Sequence, residues 1–378
     1  MNILQYFLLL YHCSNHFPIV IIKTNKGVPF REHVRRVRQK GLDMAATIRD
    51  IRAQTGLSLA TISKYLNGGN VLPENREKIE AAIRDLHYEV NEIARGLVTN
   101  KTKTIGMIVY DIESMFSGML IRHVGDCLRK AGYALLVCDS CNDEKIEADN
   151  VRFLINKKVE GMVVIPVSWK EDFLLPTREK KIPVVLMDRS FAVSDFDCVK
   201  IDNRTAALRA TNHLLGCGHK KIAIIASRVE YTGWERYKGF REAMVQAGLS
   251  VPEEYCRIGA HTIEFGHDSM LKLLELPDRP TAVLMTNYET SLGAVMAVNE
   301  SGFDCPGDIS MLGFDDLIMS HVVKPKLCMV VQPMKEMCEK AVELVLTQID
   351  SKEERPPIEL SMGTTLRDGN SIKPLQGK

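Results

Sequence analysis

The chain has 378 residues, 45% of them hydrophobic and 26% charged, a make-up expected of a soluble globular protein with room for roughly two or three domains. Forty-nine Lys and Arg against 48 Asp and Glu leave a formal net charge of +1, which excludes the global basic field of a histone-like protein, so any nucleic-acid affinity must come from a local patch. Ten cysteines are scattered, and Cys138 and Cys141 form a C-x-x-C that no second pair or spaced His completes, so free thiols in a reducing compartment are expected, with no metal and no cofactor.

The first 43 residues fit poorly with the rest. MNILQYFLLLYHCSNHFPIVII is apolar but interrupted by His12, Asn15, His16 and Pro18, and it lacks the basic start and small-residue cleavage site of a signal peptide. A basic run, REHVRRVRQKG, leads to Met44, from which the sequence becomes regular. Residues 1-43 are read as an extension with no fold of its own, translation starting at Met44. The alternative is an anchor with a basic flank, which would make the chain a membrane-anchored or extracytoplasmic sugar-binding protein.

From Thr47 to Asn67, TIRDIRAQTGLSLATISKYLN reads as two short helices joined by a tight turn. Thr47 is a natural N-cap, and Ile48 and Ile51 share one face of the first helix. Gly56 can adopt the left-handed conformation that ends it. Ser58 caps a second helix whose Leu57, Ile62, Tyr65 and Leu66 fold back on Ile48 and Ile51. Leu59, Ala60, Thr61, Ser63 and Lys64 are left on the outer side or near the N-terminus, where a recognition helix meets bases and phosphates. The bland reading is a helical hairpin inside a core. A third helix follows, with Pro73 at its start and Ile79, Ala82, Ile83 and Leu86 at helical spacing. The next segment, NEIARGLVTN over 91–100, is too short to be a stable helix alone and can order only against a partner.

From Thr104 onward, TIGMIVYDI, ALLVCDS, GMVVIPV, PVVLMDR, KIAIIAS, TAVLMTN and ISMLGFDD read as strands buried on both faces. They alternate with helical segments, which means an α/β domain with parallel sheet, and the length suits two such sheets. Ligands of open parallel sheets bind at the carboxyl ends of strands, which here carry Asp111, Asp188-Arg189, Asp202-Asn203, Asn287 and Asp315-Asp316. Paired carboxylates could serve acid-base catalysis, but P-loop, G-x-G-x-x-G, GxSxG and H-E-x-x-H motifs are all missing. Hydroxyl-rich ligands explain the same residues more simply, and no catalytic residue is assigned.

In order and spacing, TIRDIRAQTGLSLATISKYLNGG, REKIEAAIRDLHY and NEIARGL resemble the lactose-repressor (LacI/GalR) family of bacterial transcription regulators, and the resemblance runs from about Thr47 to Arg367. It implies an N-terminal all-α helix-turn-helix headpiece over 44-90, a hinge helix and linker over 91-103, and an α/β periplasmic-binding-protein-like (type I) two-subdomain core over 104-370. The N-subdomain would hold about 104-202 and 334-361, the C-subdomain about 203-333 and 362-370, with 371-378 a tail. Thr47, Ser58, Thr61, Ser63, Lys64 and Asn67 would then lie at DNA-contacting positions, with Leu59, Ala60 and Lys64 where operator choice varies. Asn91 to Leu97 would be the hinge that folds on DNA, with Ala94 in the minor groove and Leu97 wedged between base pairs.

In the core, the resemblance implies ligand contacts at Arg236, Asn287 and Asp315, with Asp188 and Phe116 at the cleft wall. Arg52 stands where the family has a small Ala, so its stem must snorkel outward or the helices must separate slightly. Val90 replaces the Pro common before the hinge, Lys64 the usual Arg, and Tyr288 an Asp. The partners expected are pseudo-palindromic operator DNA, a small-molecule effector of the sugar type and a second copy of the chain, with no membrane. The expected locale is the cytoplasm, on the nucleoid. The end of the chain, GTTLRDGNSIKPLQGK, bears no heptad helix, so a homodimer rather than a tetramer is expected.

Overall fold

Capping and apolar spacing decide the helical part of the molecule, and buried β-branched runs decide the rest. The structure is a computed structural model that describes residues 20–21, 46–88, 101–228, 230–351 and 355–375. The chain divides into a helical unit within Lys23–Lys103 and an α/β unit holding Thr104–Lys378 with the first 22 residues.

In the helical unit, α1 spans Ile48–Thr55, α2 Leu59–Leu66 and α3 Pro73–Asp85. Thr47 donates to Asp50 from both its backbone N–H and its hydroxyl, each at 2.7 Å, which holds the Asp50 carboxyl below its ordinary range. Gly56 closes α1 in the left-handed region at φ 71°. The Ser58 hydroxyl then accepts from the Thr61 N–H at 3.1 Å to start α2. Ile51, Ile62, Ile79 and Ala82 make a small buried core, on which Ile48, Leu57, Tyr65 and Leu66 pack. Arg52 is exposed, so the helices close over Ile51 and the guanidinium stays in solvent.

The strands of the α/β unit are β1 Val20–Ile21, β2 Thr104–Val109, β3 Ala134–Asp139, β4 Gly161–Val164, β5 Val184–Met187, β6 Asp197–Ile201, β7 Ile222–Ala226, β8 Cys256–Ile258, β9 Ala282–Met285, β10 Ser310–Phe314, β11 Cys328–Val331, β12 Glu359–Met362 and β13 Thr365–Arg367. The helices are α4 Met115–Lys130, α5 Glu144–Asn156, α6 Leu175–Glu179, α7 Asn203–Gly216, α8 Tyr231–Gln246, α9 Ile263–Leu274, α10 Tyr288–Ser301, α11 Ile318–Val322 and α12 Met334–Asp350. Two sheets form, in the orders β1-β3-β2-β4-β5-β6-β12 and β13-β11-β10-β9-β7-β8. All pairings are parallel except β13 against β11. The chain therefore passes between sheets three times, from β6 to β7, from β11 to α12, and from β12 to β13. This is a helix-turn-helix headpiece with a type I periplasmic-binding-protein-like core.

The seven apolar runs form β2, β3, β4, β5, β7, β9 and β10. Strand β6 went unread because DCVKI carries two charges. Its Asp197 is buried all the same, taking Arg355 at 2.5 Å, the Ile358 N–H at 2.7 Å and Gln348 at 2.5 Å. Of the first 45 residues only Val20–Ile21 are described, and they pair with β3 in register Val20 with Leu136. The extension read as having no fold of its own thus borrows an open sheet edge at this point, since an edge offers unpaired backbone groups.

Two glycines set the depth at which helices meet behind the site. A Cβ on Gly239 of α8 would fall 2.0 Å from the Arg204 carbonyl oxygen of α7, and one on Gly293 of α10 would fall 2.0 Å from that of Ile263 in α9. Backbone-close packing of α8 on α7 is what brings Arg236 to Asn203.

Candidate functional site

The helical unit presents one face of α2 to solvent. Leu59 is 37% exposed; Ala60, Lys64 and Asn67 are exposed, and Thr61 and Ser63 are half-buried. Ser58 and Thr47, at the starts of α2 and α1, are exposed as well. The helix LATISKYL contains no acid, so Lys64 is its charge and its positive N-terminal end is open to an anion. Two acids of α3 are taken up by the neighbouring helices: Glu80 accepts from the Tyr65 hydroxyl at 2.8 Å and the exposed Asp85 from Gln54 at 2.9 Å. Asn91, Ala94 and Leu97 lie outside the described residues.

In the α/β unit, Phe116, Asp188, Arg236, Asn287 and Asp315 all line one cleft of about 710 Å³ between the carboxyl ends of the two sheets. The size suits a small-molecule site. Its two walls are built alike. After β5, Asp188 takes φ 66°, and after β10, Asp315 takes φ 67°, left-handed conformations that a short polar side chain tolerates better than most. Each backbone N–H is fixed by the neighbouring strand, Asp188 on the Val199 carbonyl at 2.9 Å and Asp315 on that of Val330 at 3.0 Å. Each carboxylate has an arginine near it, Arg189 at 3.7 Å from Asp188 and Arg236 at 3.8 Å from Asp315. Each guanidinium lies over an aromatic ring at 4.4 Å, Tyr110 under Arg189 and Phe314 under Arg236.

Contacts cross the cleft. Arg189 reaches Glu230 at 2.7 Å, the Ser114 hydroxyl donates to Glu289 at 3.0 Å, and Lys200 donates to the Tyr231 hydroxyl at 3.2 Å. Burial would raise Glu230, but the His261 ring at 2.5 Å and Arg189 outweigh it and hold the carboxyl far below the usual range. Burial also pushes Glu289 up, with the Asp315 charge adding to it. Asp188 is pushed up to about 6 by burial, against the pull of Arg189 and Arg236, while Asp315 and Glu230 add repulsion.

That shift has a stability consequence. The folded protein holds the Asp188 proton more tightly than the unfolded chain, so stability falls as pH rises from about 4 to 6, and the full loss, on the order of 3 kcal/mol, persists above it. In ligand-free protein, Asp188→Asn is expected to melt above the parent at pH 7.5, the gap closing as pH falls from 6 to 4. A gap independent of pH would contradict the burial argument.

Sequence reasoning passed over Glu230, His261, Glu289 and Gln332, all of which line the cleft. Glu230 follows β7, where the strand-end rule could have found it, whereas His261 and Gln332 follow β8 and β11, strands that were not read. Tyr288 is buried away from the cleft, and it is Glu289 that faces it. Asn287 caps α10, accepting from the Thr290 N–H at 3.0 Å and donating to Glu289 at 2.6 Å. Asp202 caps α7 and Asp316 pairs with Arg367 at 2.8 Å, so neither serves the cleft.

Residues 211–372 match a periplasmic binding protein-like domain family. Catabolite control protein A of Priestia megaterium is 32% identical over 313 residues, 82% of this chain and 94% of that protein. The HTH-type transcriptional repressor PurR of Haemophilus influenzae (strain PittEE) is 33% identical over 312 residues, 82% of this chain and 93% of the relative. Among solved structures, the Lac repressor dimer bound to operator and the anti-inducer ONPF matches with TM-score 0.79 at 21% identity, over 87% of this chain and 99% of that one, a likeness of fold. The transcriptional regulator CelR in complex with cellobiose matches with TM-score 0.65 at 27% identity, over 86% and 99%.

Proposed function

The chain belongs to the LacI/GalR family of DNA-binding transcription regulators, and from that membership we propose a homodimeric repressor of carbohydrate-utilisation genes whose grip on a pseudo-palindromic operator is set by a small molecule in the core cleft. In this reading α2 enters the major groove with Leu59, Ala60, Ser63, Lys64 and Asn67 toward the DNA, and the N-termini of α1 and α2 meet phosphates at Thr47, Ser58 and Thr61. Lys64 offers a point charge rather than a bidentate fork, so its base preference differs from that of an arginine. Asn91, Ala94 and Leu97 form the hinge, with Leu97 as the wedge that couples headpiece order to the core.

The observation that carries the reading is the bridged cleft. Arg189–Glu230 and Ser114–Glu289 join the two halves directly, and a ligand seated between Asp188 and Asp315 must act on the same groups. Binding then favours one relation of the halves over another, and operator affinity follows by about 1–3 kcal/mol. The catalytic reading finds no support in the relatives, which are regulators. A sugar-binding protein held at a membrane would have no use for the helix-turn-helix, and among the described residues no helix is long and apolar enough to cross a membrane.

A gel shift of the full chain on the DNA upstream of its own gene tests this. A sequence-specific complex whose affinity changes with a carbohydrate is expected. No specific complex across a range of salt and sugars would defeat the proposal.

A further inference from the structure

The charge of the cleft restricts what can enter it. Seven carboxylate side chains line it, against two guanidiniums and one imidazole. Asp111, Glu113 and Glu264 stand at the more open positions, while Asp188, Glu230, Glu289 and Asp315 are deeper. Both guanidiniums already face carboxylates, although the buried Nε of Arg189 has no hydrogen-bond partner. Arg189 pairs with Glu230 and faces Asp188; Arg236 donates to Asn203 at 2.8 Å and to the Thr286 carbonyl at 2.5 Å, and faces Asp315. Each also has an aromatic ring against its flat side. An incoming phosphate or carboxylate would find each cation of the lining already facing a carboxylate and would meet the field of the surplus acids.

The acceptors, by contrast, are waiting. Asp188 is 3% exposed, and its Oδ1 has no hydrogen-bond partner. Gln332 is 4% exposed; its amide nitrogen donates to Asp315 at 2.6 Å, which fixes the amide orientation and leaves its buried Oε1 without a partner. Glu289 receives only neutral donors, the Ser114 hydroxyl and the Asn287 amide. Buried acceptors left empty are costly, and a buried carboxylate met only by neutral groups favours a cation. A protonated amine supplies three donors, no acceptor and the missing charge, while hydroxyls suit the remaining polar wall.

We propose that the effector is a small polyhydroxyl compound bearing a protonated amine, of the amino-sugar class, and that its ammonium sits among Asp188, Glu289 and the Gln332 oxygen. This rests on the reading of the cleft as the effector site. Phosphorylated and carboxylated sugars are excluded by the same groups.

The test uses the full chain and a matched panel of glucose, galactose and mannose, each as the free sugar, the 2-amino sugar, its N-acetyl derivative and the 6-phosphate. Affinities are measured by calorimetry and checked by thermal shift. The inference expects an amino sugar to bind at least about tenfold tighter than its N-acetyl and free counterparts, with no stabilisation by any phosphate. In the isosteric Glu289→Gln variant that preference should shrink to within about threefold while the protein still melts cooperatively. A free, N-acetylated or phosphorylated sugar binding as tightly as its amino partner overturns the inference and leaves the effector-cleft reading standing. Absence of binding by every member of the panel counts against the cleft reading itself, and the inference falls with it.

Discussion

Replacing Arg236 with Ala is expected to abolish the ligand response of operator binding while the headpiece still binds DNA. The guanidinium is 3% exposed and does four things at once. It donates to the Asn203 side-chain oxygen and the Thr286 carbonyl, covers Phe314, and supplies the cation nearest Asp315. Its loss leaves the Asp315 carboxylate buried with Gln332 as its hydrogen-bond donor, a situation that costs about 3–5 kcal/mol when one partner of a buried pair is deleted. The melting temperature of the core should drop accordingly, and ligand should no longer raise it. Asp315→Asn can keep the Gln332 contact and leaves the Arg236 guanidinium on its neutral acceptors, Asn203 and the Thr286 carbonyl, but without its facing carboxylate. That variant should melt below the parent but above Arg236→Ala, and still lose most of its ligand response. If Arg236→Ala answered ligand as the parent does, the assignment of this wall to the effector would be wrong.

The second large effect is expected at Ile62. The headpiece core consists of Ile51, Ile62, Ile79 and Ala82, fully or almost fully buried, with a few partly buried neighbours. Truncation of a buried Ile to Ala costs about 2–5 kcal/mol, and a unit this small holds only about 3–5 kcal/mol in total. Ile62→Ala should therefore unfold the headpiece and remove specific operator binding, while leaving the ligand-dependent melting of the core as in the parent. Ile62→Val, at about 0.5–1.5 kcal/mol, should weaken DNA binding without removing it. Circular dichroism melts read together with gel shifts distinguish the two. Wild-type operator affinity in Ile62→Ala would show that the three-helix core does not carry the recognition helix.

How much of this could be read from the chain depended on whether a local rule or a three-dimensional one decided the outcome. The caps at Thr47 and Ser58 and the stop at Gly56 are local, and so was the outward face of α2. Most of the strands that lie between helices on both faces announce themselves as apolar runs, although the short CMVV of β11 was passed over. Strand β6 did not, since Asp197 looks like a loop residue until Arg355, far along the chain, arrives to neutralise it. The five cleft residues proposed from strand ends and family likeness all line one cavity. What stayed hidden was rotation. Because Asn287 is the cap of α10, the next residue turns into the interior and the one after it faces the cleft, so the acid available to a ligand is Glu289 rather than a residue at 288. Likewise, nothing in the letters Asp188 and Asp315 says that both adopt positive φ, and it is that conformation which aims the two walls at each other.

The central claim is that one molecule binds DNA and ligand through a shared equilibrium. Fluorescence anisotropy with labelled operator gives the operator Kd with and without the tightest-binding sugar of the panel, and calorimetry gives the sugar Kd with and without operator. Linkage requires the two ratios to be equal, and a factor of about 5–150 is expected. A sugar that binds the cleft yet leaves operator affinity unchanged would contradict the account.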